Sequence, residues 1–214
     1  MFDEIEYLPS IYPASFFDVS IAAHFGSKFD FKKDGDKYVV PNFSELIDEN
    51  NDHVFSLQYS KNTLRFHFLI KSPFEGVSVK NYEKEDSIEL FIVSQNTEIE
   101  TVHPFVHHFV FFPQPVAEVA GMEITKFKGG AIRDLAPSKS LSCATNFGAN
   151  TYESLIELGA DAIHGLSLKP ETTLRICYKI NRTKNDPIHW FRSSKNMKIA
   201  DYPFLWPRVV LQKK

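Results

Sequence analysis

A chain of 214 residues, 43% of them hydrophobic, can bury a full core, and all-β domains commonly reach this length as one unit, so residues 1–214 are expected to form a single domain. Lys plus Arg number 24 against 27 for Asp plus Glu, a net charge of -3 with both signs interleaved, which excludes the basic stripe of a nucleic-acid surface. The 20 Phe and 8 Tyr favour pleated surfaces over helices.

The start, Met1-Phe2-Asp3-Glu4-Ile5-Glu6, is acidic where a secretory signal needs basic residues before an apolar run. No apolar window is long enough to cross a bilayer, so a cytoplasmic setting without a membrane span is expected, with leaderless export left open. Period-two alternation begins at Phe17, Val19 and Ile21. A polar stretch from Lys32 to Lys37 follows, and Glu45 to Asp52 reads as an acidic loop or frayed turn. Phe55, Leu57 and Tyr59 share one face of the run His53 to Tyr59. Leu64, Phe66, Phe68 and Ile70 do the same in the next run, and Ser60-Lys61-Asn62-Thr63 between them reads as a hairpin turn.

Asp86 to Val93 sets Ile88, Leu90 and Ile92 against Ser87, Glu89 and Phe91. His107 to Phe112 is an aromatic strand bracketed by Pro104 and Pro115 and stopped at Pro113, because proline cannot donate to a ladder. Further strands are expected at Met122 to Phe127, Leu141 to Phe147, Thr151 to Leu158, Thr173 to Asn181, Ile188 to Phe191 and Arg208 to Gln212. Gly159 to His164 allows one helical turn. About ten strands in one chain point to an all-β, antiparallel, two-sheet β-sandwich, jelly-roll-like, with at most short helical turns.

The histidines are the first place to look for chemistry. On a strand, His103 and His107 share one face while His108 points the other way, so at most two could meet one ion, and zinc needs a third protein ligand. No metal site is therefore assigned, with His103 and His107 as the residues to watch. Glu83, Glu85, Asp86 and Glu89 could supply paired carboxylates, yet neighbours on one strand do not oppose each other across a cleft, and a solvated acidic face is the expectation. Cys143 and Cys177 have no metal or disulfide spacing and read as reduced, core-facing thiols. No Gly-x-Ser-x-Gly is present, and Gly129-Gly130 lacks the lysine of a phosphate loop and reads as a turn. Trp206, between Leu205 and Pro207, is expected inside the sandwich, while Trp190 in Ile188-His189-Trp190-Phe191 suits either core or ligand.

Several segments then fall into a familiar order. The hairpin from Ser56 to Phe66, the run Asp86-Ser87-Ile88-Glu89-Leu90-Phe91-Ile92, the strand Ile176 to Arg182 and the closing segment Pro203 to Leu211, in which Trp206 precedes the last strand, resemble, in turn, the segments of carbohydrate-binding module family nine and its wider β-sandwich superfamily. His107, Phe109, Phe111 and Pro113 are similar to a strand of bacterial members without assigned function. The resemblance runs from about residue 15 to 112 and from 150 to 212, and it implies a sandwich fold. Sugar-binding members of the family clamp a glycan end between two tryptophans.

These readings converge on a non-catalytic module for a glycan or another small ligand, with Trp190, His107, Glu89 and Asp86 as its ligand-binding residues and no cofactor. A protein-interaction or scaffold domain is the alternative, which a flat apolar patch would favour. A metal-dependent enzyme using the His103/His107 region stands third.

Overall fold

The computed structural model describes residues 19–34, 37–41, 52–95, 104–127, 132–190 and 201–213. Met1 to Glu6, Phe17, the acidic stretch 45–51, His103, Gly129, Gly130 and Phe191 lie outside them. Where apolar residues alternate, the described chain is a strand. In order these are β1 (Ser20–Phe25), β2 (His53–Tyr59), β3 (Thr63–Ile70), β4 (Ser87–Val93), β5 (Val106–Val116), β6 (Val119–Glu123), β7 (Leu141–Phe147), β8 (Tyr152–Gly159), β9 (Thr173–Asn181), β10 (Ile188–His189) and β11 (Arg208–Gln212). Helical structure among the described residues is limited to the four residues Phe31–Asp34 and short 3-10 turns, one of them Ala160–Ala162 within the expected turn.

Pairing joins all the strands into one sheet, in the order β6-β5-β4-β9-β11-β1-β2-β3-β8-β7, with β10 added beside β11 along β9. Instead of two separate ladders, a single one curls until β6 and β7, its two ends, come together in a nearly closed, barrel-like sheet. The two edge strands are thereby brought close to each other, although no ladder joins them. All pairings are antiparallel except those of β1, which runs parallel to both β11 and β2.

One core fills the interior. Phe55, Leu57 and Tyr59 of β2 and Phe66 and Phe68 of β3 face Leu90 of β4 and Ile176 and Tyr178 of β9. Phe55 and Phe68 pack on the Tyr178 ring at 4.8 and 5.0 Å, and each aromatic contact of this kind adds about 0.5–1.5 kcal/mol beyond its buried area.

The outer face of β4 and β9 departs from expectation. All seven residues of β4 are buried, because a second, smaller cluster of Phe91, Val93, Val106, Cys177 and Trp206 covers its outer side. Trp206 is thus buried as foreseen but packs on the outside of the sheet, 5.6 Å from the Phe91 ring, where the turn Pro203–Leu205 carries it over β4. Cys143 and Cys177 are both free and buried, the first in the main core and the second in this outer cluster.

Strand β5 does not stop at Pro113 but continues to Val116. Its pairing with β4 ends at Phe111, and its register with β6 breaks between Phe111 and Val116, so Pro113 and Pro115 occupy positions from which no ladder bond is required. The hairpin then turns through Ala117 and Glu118, both left-handed at φ 50° and 68°, between the paired Val116 and Val119. Two consecutive left-handed residues are the signature of a type I′ turn, which suits Asn-Gly and strains Ala-Glu. Ala117→Asn combined with Glu118→Gly is expected to raise stability by about 1 kcal/mol. A urea midpoint that rises with unchanged slope would show it, and an unchanged midpoint would show that the turn carries no strain.

Candidate functional site

The four residues singled out from sequence occupy four different settings. Trp190 is fully buried in the main core, stacked on Tyr178 at 5.3 Å and 9° and edge-on to Phe55 at 5.2 Å, with its indole N–H donating to the Pro41 carbonyl at 3.4 Å. Trp190 and Trp206 are the only tryptophans of the chain, so both are buried and they belong to separate clusters.

Asp86, expected on a solvated face, is 2% exposed. One carboxylate oxygen accepts the backbone N–H groups of Glu75 and Gly76 at 2.6 and 3.2 Å, and the other accepts that of Thr183 at 3.0 Å. A carboxylate that accepts backbone donors from two chain segments fixes them against each other. Asp86 therefore ties the segment after β3 to the one after β9.

His107 points inward on β5, with Nδ1 3.0 Å from Glu123 Oε1 of β6 and 2.8 Å from Arg133 Nη2. Glu123 also accepts from Thr125 Oγ1 at 2.6 Å, from the Ala136 N–H at 2.6 Å and from both terminal nitrogens of Arg133. Burial alone would raise the Glu123 pKa, but the bonds from His107, Arg133, Thr125 and Ala136 outweigh it and hold the carboxyl at about 2. Burial, aided by the Arg133 charge, lowers the His107 pKa and keeps the ring neutral. This group anchors the segment that leads to β7, and among the described residues no set of three or more His, Cys, Asp or Glu is placed to hold a metal ion.

Glu89 is the second acidic residue expected in solvent, and it too is buried, at 3% exposure. Its place follows from pairing: on the outer face Glu89 of β4 stands opposite Lys179 of β9, which stands opposite His189 of β10. One step along the face Ser87 opposes Asn181, and one step the other way Phe91 opposes His108. Glu89 Oε1 accepts from Lys179 Nζ at 3.0 Å and Asn181 Nδ2 at 2.8 Å, and Oε2 is 2.7 Å from His108 Nε2. The His108 ring lies on Phe91 with centroids 4.3 Å apart, and its backbone N–H donates to Thr125 Oγ1 at 2.9 Å. Asn181 Nδ2 also donates to Ser87 Oγ at 3.0 Å, while Ser87 Oγ donates to the Tyr82 carbonyl at 2.6 Å.

The electrostatics are those of a fixed anion. Burial works against the Glu89 charge, and the donors His108, Lys179 and Asn181 overcome it, holding the pKa at about 2. Burial, then the Lys179 charge, lowers the pKa of His189 to about 4, so its ring is neutral at neutral pH. The Tyr82 hydroxyl is pushed up by burial and by the Glu89 charge. Oε2 accepts a single bond and keeps acceptor capacity, and Asn181 Oδ1 and His189 Nδ1 are buried without a hydrogen-bond partner among the described residues. Lys179 and His108, with 21% and 24% of their side chains exposed, border the cluster. The cluster thus holds an ionised carboxylate with spare acceptor capacity beside two buried polar atoms that no described residue satisfies.

Of its members only Glu89 stood out in the sequence. Lys179 and Asn181 carry a usable signal, two polar residues spaced by two in an otherwise apolar strand, whereas His108 and His189 join Glu89 only through strand register. Elsewhere on the surface two open clefts flank Asp161. One, of about 440 Å³, runs along Arg133 to Pro137 and His164, and the other, of about 410 Å³, along Thr63, Lys139, Ser140 and Glu157.

No protein-family model matches the chain, and no curated protein matches it by sequence. Solved structures do match. A family 9 carbohydrate-binding module from Caldicellulosiruptor kristjanssonii, solved with cellotriose, superposes with a TM-score of 0.66 at 14% identity, covering 91% of this chain and 94% of that one. The same module with glucose gives the same TM-score and identity over 91% and 96%. A Bacteroides uniformis protein assigned by inference to carbohydrate binding gives 0.57 at 8% identity over 91% and 99%. The chain therefore has the fold of the family 9 carbohydrate-binding modules.

Proposed function

We propose that the outer-face polar cluster around Glu89 binds a glycan and performs no chemistry on it. The observation that carries this reading is the pair of buried polar atoms without a partner among the described residues, Asn181 Oδ1 and His189 Nδ1, beside the ionised Glu89 carboxylate, whose Oε2 keeps acceptor capacity. A sugar is the common ligand that brings several hydroxyl donors to one place, and movement of the long Lys179 side chain at the rim would admit it. Fold likeness to modules solved with glucose and cellotriose supports the same reading. In place of a tryptophan clamp, half-buried Tyr82 and the His108 ring on Phe91 supply the apolar surface. In the same proposal the curled sheet works as a two-layer, jelly-roll-like sandwich, with β2, β3 and β8 facing β4, β5 and β9 across the Phe55, Phe68 and Tyr178 rings.

A screen of sugars by thermal shift tests the proposal, since a ligand that binds only the folded state raises its apparent stability. A matching sugar is expected to raise Tm in a dose-dependent way. Glu89→Gln, which removes a charged acceptor, is expected to weaken its binding about ten- to hundredfold. Lys179→Ala, which removes the side chain that covers Glu89, is expected to leave binding intact or strengthen it. A sugar that binds Glu89→Gln as tightly as the parent would place the site elsewhere.

One observation favours the protein-interaction alternative: Phe147, 51% exposed, packs on Phe74 at 4.9 Å and leaves an aromatic face outward at one end of the sheet. That face lacks the polar acceptors of the Glu89 cluster and ranks second.

A further inference from the structure

Away from the Glu89 cluster, two clefts meet at one carboxylate. Asp161, in the turn Ala160–Ala162 after β8, lines both, the larger of about 440 Å³ and the smaller of about 410 Å³. Each volume falls in the range of ligand sites, and two compartments joined at one residue suit a linear ligand better than a compact one.

The walls are held by bonds within the chain. Glu123 accepts from Arg133 and from the Ala136 N–H at 2.6 Å, the Ser140 N–H donates to the Pro137 carbonyl at 2.9 Å, and Ser140 Oγ donates to Asp161 Oδ2. The segment from Arg133 to Ser140 is thereby tied to β6 at one end and to the Asp161 turn at the other. Between those ties the Leu135 side chain is 48% exposed, and its backbone N–H and C=O make no hydrogen bond among the described residues. A wall already ordered loses little freedom on binding, and an unbonded N–H and C=O are the groups with which an extended peptide pairs.

Charge and shape then select the ligand. The larger cleft sets Leu135 and Pro137 against His164, whose ring is stacked on Phe105 at 5.4 Å and 14°. Its acids, Asp134 and Asp161, are exposed and form no ion pair among the described residues. Arg133 in the same wall is neutralised by Glu123 and uses its other donors on the Pro104, Val106 and Asp134 carbonyls. An apolar wall that ends in unpaired carboxylates matches a side chain with an aliphatic stem and a cationic head. Arginine fits best, since its planar head stacks on a ring and forks onto a carboxylate. The smaller cleft offers Thr63, Ser142 and Lys139, with Glu157 already paired to Arg65 at 2.6 Å, and so suits a polar, uncharged residue.

We propose that the joined clefts hold an extended peptide segment of a partner protein. An arginine of that segment sets its head at Asp134 and Asp161 and its stem along Leu135 and Pro137, and the next residue, a polar one, lies over Thr63 and Ser142. This surface is separate from the Glu89 cluster, and the two readings stand or fall independently.

Amide-resolved NMR titration of the intact chain with the capped peptides Ala-Ala-Arg-Ser-Ala and Ala-Ser-Arg-Ala-Ala, which present the two chain directions, tests it. Saturable shifts are expected with one of them at Leu135, Ala136, Asp161 and His164 and at Thr63 and Ser142. Replacing the arginine by citrulline, its neutral analogue of similar shape, is expected to weaken that binding about tenfold, the loss of a charge-assisted bond. Asp161→Asn, at an exposed position where the amide oxygen still accepts from Ser140, should weaken it as much while leaving the denaturation midpoint unchanged. Shifts absent with both peptides, or an affinity that survives both citrulline and Asp161→Asn, would overturn the proposal. Equal affinity for N-acetylarginine amide would overturn it too, by showing a site for a single guanidinium compound in place of a chain.

Discussion

Glu123→Gln is expected to cost about 3 to 5 kcal/mol, because removing one member of a buried ion pair strands the other. The Glu123 side chain is fully buried, and Arg133, 8% exposed, spends its guanidinium on it and on the Pro104 and Val106 carbonyls. The amide keeps the volume but not the charge, and its NH2 faces donors where an oxygen used to accept. Urea denaturation of variant and parent measures the loss, and a difference below about 1 kcal/mol would show that the group is dispensable. The pH dependence follows from the depressed pKa. Glu123 binds protons more readily unfolded than folded, so its contribution is complete above its ordinary value of 4.5 and is lost as pH falls toward about 2. Glu89 adds to the same acid limb with the same sign. The Glu123→Gln variant should accordingly lose less stability than the parent between neutral pH and the acid end.

Trp190→Ala is the second large effect, about 3 to 5 kcal/mol, as for any large aromatic removed from a packed core. The Tyr178 face and the Phe55 edge both lose their partner, and the surrounding strands are tied into one curled sheet that limits collapse into the void. Against a total stability of about 5 to 15 kcal/mol, such a loss leaves the domain marginal. Trp206→Ala is expected toward the lower end of the same range, since its smaller cluster lies outside the sheet and can close over the gap. Chemical denaturation of the two variants beside the parent gives both numbers. An unchanged midpoint would return Trp190 to the list of ligand contacts, or move Trp206 onto it.

The strands were legible because their alternation is strong, and β7, β9 and β11 match the expected limits residue for residue. The errors have physical causes. Alternation assumes one wet face, so Glu89 was assigned to solvent, whereas β4 sits mid-sheet with apolar side chains on both sides and its carboxylate is kept ionised by donors from β5 and β9. Proline was read as the end of β5 because a ladder needs donors, yet Pro113 stands where β4 has already ended. The cluster itself was half hidden. Glu89 could be picked out alone, but its partners lie about 20 to 100 residues away and are brought to it by register, which a single sequence does not state. His107 was read through its neighbour His103, while its working partners, Glu123 and Arg133, come from later segments.

The parallel placement of β1 bears on how the chain reaches its native state. Ser20 pairs with Arg208, so the strand that leaves the ribosome first among those described is locked on one side by the strand that leaves last. Its other partner, β2, holds it through only two residue pairs, His24 with Gln58 and Phe25 with Tyr59. Local hairpins such as β2–β3 and β7–β8 can form during synthesis, but the ladder that joins β1 to β9 has no template until β11 arrives. Contacts so distant along the chain carry a high closure entropy and slow folding. Until β11 emerges, β1 is therefore unpaired on one edge, an interval in which that edge is open to a chaperone or to another copy of the chain.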